Sequence, residues 1–329
     1  MQTRPKSPGL SRLGLTANGQ PVERIVLADD RLAVSVLTFG AALQGLWLDA
    51  VPHSLTLGSD RLADYEAASS YFGALVGPVA NRIAGANATI VGRPCRFDAN
   101  EGANTLHSGA SGLHRRLWRV EDRSDTAVTF ALDLADGLGG FPGNRRLSAR
   151  FSLPGSATLR MELSGTTDAP TPINIANHSY WNLDGTATWA GHSLQIKADR
   201  WLPVDTDQIP TGRIAPATGA MDFRRPRPLG PDAPALDHNF CLAADRRALA
   251  EAATLTGASG ARLRLMTTEP GLQVYDGRAP VRPGDAACAG LALEPQAWPD
   301  ALHQPTFPDI IATPDSPYRQ ITEWRFSIG

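Results

Sequence analysis

The sequence predicts an all-β fold, an antiparallel sandwich or barrel with few short helices, from three observations. Apolar residues alternate with polar or small ones in many short segments. Turn formers, 31 glycines and 26 prolines, are spread over the whole length of 329 residues. Long segments of period 3.6 are scarce. Successive side chains of a strand point to opposite faces, so period-two alternation is the mark of a half-buried strand. Many such segments with frequent turns make a sandwich or barrel.

In order, Leu32, Val34 and Val36 alternate with Ala33 and Ser35, and Val128, Phe130, Leu132 and Leu134 with Thr129, Ala131 and Asp133. Leu147, Ala149, Phe151 and Leu153 follow, then Leu159, Met161 and Leu163, then Leu194, Ile196 and Ala198, then Leu263 and Leu265. Thr322 to Ile328 reads as a last strand. Pro154-Gly155, Asp136-Gly137 and Phe141-Pro-Gly143 separate neighbours. Asp245 to Ala252 reads as a short helix with Asp245 as N-cap. With no linker, low-complexity tract or internal repeat, residues 1–329 are expected to form one domain.

Composition excludes several classes of function. The hydrophobic fraction is 42%, the charged fraction 19% and the net charge −2. Arg224, Arg225 and Arg227 are broken up by prolines rather than forming a phosphate-tracking surface, so nucleic acid is not an expected partner. No apolar run reaches the roughly 20 residues of a membrane span. Met1 to Gly14 lacks the apolar stretch of a signal peptide. Cys95, Cys241 and Cys288 are far apart and read as buried thiols of a reducing compartment. These features predict a cytoplasmic protein, monomer or homodimer.

Five stretches are dense in polar groups beside apolar ones: Gly77 to Ile83, Asn100 to Gly109, Thr171 to Leu183, Asp237 to Phe240 and Leu293 to Ala301. The third runs Asn177-His-Ser-Tyr-Trp-Asn182. A concave sugar site needs such a series, because a sugar presents several hydroxyls and an apolar face; a buried histidine satisfied by Asn or Tyr neighbours accounts for it equally. Glu294 closes an apolar strand, where desolvation raises a carboxyl toward a useful base. Arg82 follows Asn81 in an otherwise apolar run, and His107 and Asp237 have turn or cap roles as alternatives. His107, His178 and Glu294 have the residue types of a metal site, but no HExxH, phosphate loop or nucleophile elbow is present.

Taken together and in order, these elements resemble the aldose 1-epimerase (galactose mutarotase) family. The resemblance rests on Asn81-Arg82-Ile83, Leu106-His107, Pro172 to Leu183, Asp237-His-Asn-Phe240, and Glu294 with Gln296 and Trp298-Pro-Asp-Ala301. It extends from about Gly40 to the C-terminus. It implies a large β-sandwich of the mutarotase type that acts on a free aldose with no cofactor and no metal. It implies His178 as general acid and Glu294 as general base. Asn81, Arg82, His107, Asp237 and Gln273 are implied as sugar-binding residues, and Trp181 or Tyr275 is expected near the apolar sugar face. The chain departs from the family pattern at Pro78, Ser108, Pro295 and Trp181. Rival expectations are a hexose-6-phosphate epimerase using Arg82, Arg115 and Arg116, a hydrolase using Glu294 with Asp237, and a non-catalytic sugar-binding domain.

Overall fold

The computed structural model describes residues 2–67, 71–230, 233–282 and 284–329. Three antiparallel sheets carry the fold. The largest has nine strands, in the order Arg119–Arg123, Ala127–Leu134, Arg145–Gly155, Thr158–Thr167, Tyr318–Ile328, Ala261–Thr267, Ala250–Thr256, Ser193–Ile196 and Arg227–Pro228. A six-stranded sheet runs Tyr180–Trp181, Leu291–Gln296, Gly271–Tyr275, Asp237–Cys241, Arg200–Trp201 and Ala215–Pro216. A four-stranded sheet of residues Gly9–Leu15, Pro21–Ala28, Leu32–Leu37 and Leu43–Leu48 completes the layers.

The alternation does what it predicts. Val128, Phe130, Leu147, Phe151, Leu159 and Met161 enter one shared core with Trp181 and Trp324. Their neighbours Thr129, Asp133, Arg146 and Arg150 stay on the outer face, where Asp133 pairs with Arg146 at 3.2 Å. The strand Leu32–Leu37 is buried on both faces, Ser35 included, because its Oγ donates to Gln44 Oε1 at 2.6 Å.

One segment departs from expectation. The stretch Asp245 to Ala252 is not helical; its second half opens the strand Ala250–Thr256. Asp245 Oδ1 accepts the Arg246 N–H at 2.7 Å, which makes a turn. Arg247 N–H is taken by Thr268 O, and residues 250–256 are paired on both sides, by 193–196 and by 261–267. Two waiting strand edges outweigh the few tenths of a kcal/mol per residue by which alanine favours helix. Among the described residues the α-helix is Leu62–Glu66. All three cysteines are free thiols, and Cys288 is half-buried rather than buried.

Candidate functional site

A pocket of about 270 Å³ opens on the six-stranded sheet, lined by Asn81, Arg82, His107, His178, Asp237 and Glu294. Asp237 and Glu294 stand on strands of that sheet; Asn81 with Arg82, His107 and His178 come from three other segments that the fold brings together.

Asn81 and His107 fasten two of them to each other. The short strands Arg82–Ile83 and Thr105–Leu106 pair, and His107 N–H donates to Asn81 O at 2.9 Å. In return Asn81 N–H donates to His107 Nδ1 at 3.0 Å. Nδ1 is therefore the acceptor, and neutral His107 carries its proton on Nε2. Burial, with His178 next, drives its pKa well below the ordinary value. His107 is thus a fixed donor. Asn81, His107 and Ser108 all have left-handed backbone, at φ 61°, 50° and 66°. Such residues are held only where the surroundings dictate them. The Ser108 hydroxyl helps: it donates to Val79 O at 3.1 Å and accepts Val79 N–H at 3.0 Å. The Ser108 side chain therefore serves the backbone rather than the pocket.

His178 N–H donates to Ala74 O at 2.9 Å, and the Asn177 amide donates to Gly73 O at 2.8 Å. Alternation along 178–181 then decides who faces the pocket. His178 and Tyr180 line it. Trp181 turns the other way into the core, against Trp324 and Phe326, with no exposed surface. Of the two aromatics expected near an apolar sugar face, Trp181 is therefore excluded from the pocket, whereas Tyr275 lines it beside Tyr180. Asn177, Ser179 and Asn182 serve backbone and each other rather than the pocket: Ser179 Oγ donates to Asn177 Oδ1, and Asn182 Nδ2 to Thr186 O and Ala289 O.

Glu294 faces His178 from Leu291–Gln296, with Oε1 at 3.6 Å from His178 Nε2. Both side chains are buried, and neither Glu294 Oε2 nor His178 Nδ1 has a protein partner. Burial, then Asp237, pushes the Glu294 carboxyl well above the usual range, against the pull of Arg82. Burial depresses His178 to about 4. Burial thus favours the uncharged form of both groups, carboxyl and imidazole alike. Gln273 stands directly beside Glu294 in the ladder and one step behind the pocket wall. Its Nε2 donates to Asp237 Oδ1 at 2.6 Å. Arg82 Nη1 lies 3.7 Å from Asp237 Oδ2.

The lining also contains residues that sequence reasoning did not single out. Tyr71 packs its ring over His107 and His178, at 4.7 and 5.7 Å between centroids, and had no sequence signal. Glu101, inside the polar stretch Asn100 to Gly109, grips Arg82 through Nε at 2.5 Å and Nη2 at 2.9 Å. Arg115 lines a different cavity, with Phe39, Tyr65 and Leu117, and Arg116 is absent from the pocket lining.

His107, His178 and Glu294 bring one donor atom each within 4.8 Å of one another. The set is flawed for a cation. A metal needs a lone pair on His107, yet Nδ1 already accepts a backbone N–H, and neutral imidazole then has hydrogen on Nε2.

Comparison with known proteins agrees with this geometry. A family model described as aldose 1-epimerase matches residues 23–325. Galactose mutarotase of Rattus norvegicus is 35% identical over 333 residues, covering 96% of this chain and 97% of the relative. Aldose 1-epimerase of Escherichia coli is 32% identical over 336 residues, covering 95% and 97%. An aldose epimerase homologue from C. elegans superposes with a TM-score of 0.86 at 29% identity over 93% of this chain and 98% of its own. Galactose 1-epimerase from Lactobacillus acidophilus gives 0.85 at 26% identity, over 98% and 100%.

Proposed function

Because the chain belongs to the aldose 1-epimerase family, an isomerase family that interconverts anomers, we propose that it acts on a free, neutral aldose, with His178 and Glu294 as its two proton carriers. The observation that supports this most is the buried pair at 3.6 Å, free of other polar partners, in a cavity small enough for a single sugar ring.

Anomers exchange by opening the hemiacetal. Glu294 as base takes the proton of the C1 hydroxyl while His178 as acid protonates the ring oxygen. The C1–O5 bond breaks to give the open-chain aldehyde. Rotation about C1–C2 presents the other carbonyl face to O5, and the two transfers reverse. Each carrier contributes roughly 10²–10⁴-fold. The chemistry requires one proton in the pair and no more, and burial favours such a state, a neutral carboxyl beside a neutral imidazole. A bound sugar replaces the dry surroundings with hydroxyls and lets that proton move from carboxyl to imidazole. His107 Nε2–H donates to a sugar oxygen and holds the open chain. Asp237, braced by Gln273, accepts from hydroxyls, and Tyr180 and Tyr275 cover an apolar ring face.

A sugar phosphate is disfavoured. Among the described residues lining the pocket, Arg82 is the cationic one, and two carboxylates already face it. Polarimetry on freshly dissolved α anomers of glucose, galactose, xylose and arabinose tests the reading. Acceleration of at least one is expected; faster turnover of glucose 6-phosphate than of every free aldose would refute it.

A further inference from the structure

We propose that Glu101 is a specificity-determining residue that sets this pocket against anionic sugars by occupying the charge of Arg82. The proposal rests on the functional reading above and deepens it.

The guanidinium of Arg82 has two forked edges, and the side-on one, Nε with Nη2, matches a carboxylate in two parallel hydrogen bonds. That edge is the natural receptor for the carboxylate of a sugar acid or for a phosphoryl group. Glu101 fills it, at 2.5 and 2.9 Å. The remaining nitrogen, Nη1, points to Asp237 at 3.7 Å. Glu101 is not a wandering surface residue. Its N–H donates to Asn104 O at 3.2 Å, and Asn104 N–H donates back to Glu101 O at 2.9 Å. The Asn104 side chain in turn accepts Gly85 N–H at 2.9 Å, tying the turn to the strand end beyond Arg82. The carboxylate is thereby presented at the pocket wall, about a third exposed.

Two carboxylates against one guanidinium leave the mouth net negative. A neutral aldose meets only hydrogen-bonding groups there. An anion meets like charge and finds its cationic fork already taken. Discrimination of this kind comes from a repulsive element as much as from attraction. Removal of one like charge at the mouth, partly screened by solvent, is expected to change affinity for an anion by about tenfold.

The test compares wild type with Glu101→Gln and Glu101→Asp in calorimetric titrations and in polarimetry. The sugar pairs are galactose with galacturonate and glucose with glucuronate. For each protein the ratio of uronate to neutral-sugar dissociation constant is measured. In wild type the ratio is expected to favour the neutral sugar. In Glu101→Gln it should fall by about tenfold, and by less in 0.5 M salt, because screening weakens the contrast. Glu101→Asp keeps the charge and should retain most of the discrimination. If Glu101 merely positions Arg82, both constants in Glu101→Gln rise together and the ratio stays within twofold of wild type, which overturns the proposal. Since the titrations need no turnover, a wild type that binds these sugars without mutarotating any aldose refutes the functional reading alone.

Discussion

Two buried carboxylates of this protein, Glu269 and Glu294, lie in different regions. Glu269, in the turn before the strand Gly271–Tyr275, has Arg246 Nε at 3.0 Å, and that arginine stacks on Tyr318 at 4.9 Å. Glu294, in the pocket, has no hydrogen-bonded partner and an imidazole 3.6 Å away. Burial raises both carboxyls; Arg246 pulls Glu269 back, whereas Asp237 pushes Glu294 further up. Burial alone does not make a reactive group. A cation at hydrogen-bond distance turns a buried carboxylate into scaffold, and its absence leaves a proton to be exchanged.

The largest effects should separate the two regions by activity. Glu294→Gln and His178→Asn are each expected to lower kcat by roughly 10²–10⁴-fold with modest change in sugar binding, read by polarimetry and calorimetry. The double variant should lose far less than the product of the two losses, since the residues act as a unit. A folded Glu294→Gln protein with near-parental turnover would remove Glu294 from the mechanism.

The reverse pattern is expected at the other carboxylate. Glu269→Leu should leave kcat within a fewfold of wild type but cost about 2–3 kcal/mol of stability in urea unfolding, because Arg246 loses its charged partner while keeping some access to water. An activity loss on the scale of Glu294→Gln would erase the distinction between the regions.

The pH profile sharpens it. Activity needs one proton in the His178–Glu294 pair. It should fall in acid as a second proton enters at His178, near about 4, and fall in alkali when the pair's last proton leaves from a Glu294 raised well above the carboxylate range. Both limbs belong to the pair. A profile flat from pH 3 to 10 would contradict the shared proton.

The smallest effect is on stability. A carboxyl whose folded pKa is raised contributes stability that is complete below its unfolded pKa and lost as pH rises through the folded one. Glu294→Gln removes that loss. Its melting temperature should therefore exceed that of wild type at pH 8 and match it near pH 4. An equal difference at both values would show that burial does not strain Glu294.

Much of the fold was legible because alternation is a local property. Val128 to Leu134 and Leu147 to Leu153 form the strands they predict. Asp245 to Ala252 misled because its alanines favour helix locally while two strand edges compete for the same backbone. In the pocket, Asn81, Arg82, His107, His178, Asp237 and Glu294 were nameable as residue types in a familiar order. Trp181 was misplaced by one position, which on a strand means the opposite face. Tyr71 had no pattern to betray it, and Glu101 had only its place in the polar stretch Asn100 to Gly109, since their roles depend on partners in other segments.

The sequence by itself determined which side chains share a strand face and which residue types could carry protons, because both follow from spacing and functional groups. Only the tertiary structure decided that Glu294 meets His178 at 3.6 Å, that Glu101 closes on Arg82, and that burial pushes the Glu294 carboxyl upward. Acidity depends on how much water and which charges surround a group, and those are supplied by strands far away in the chain.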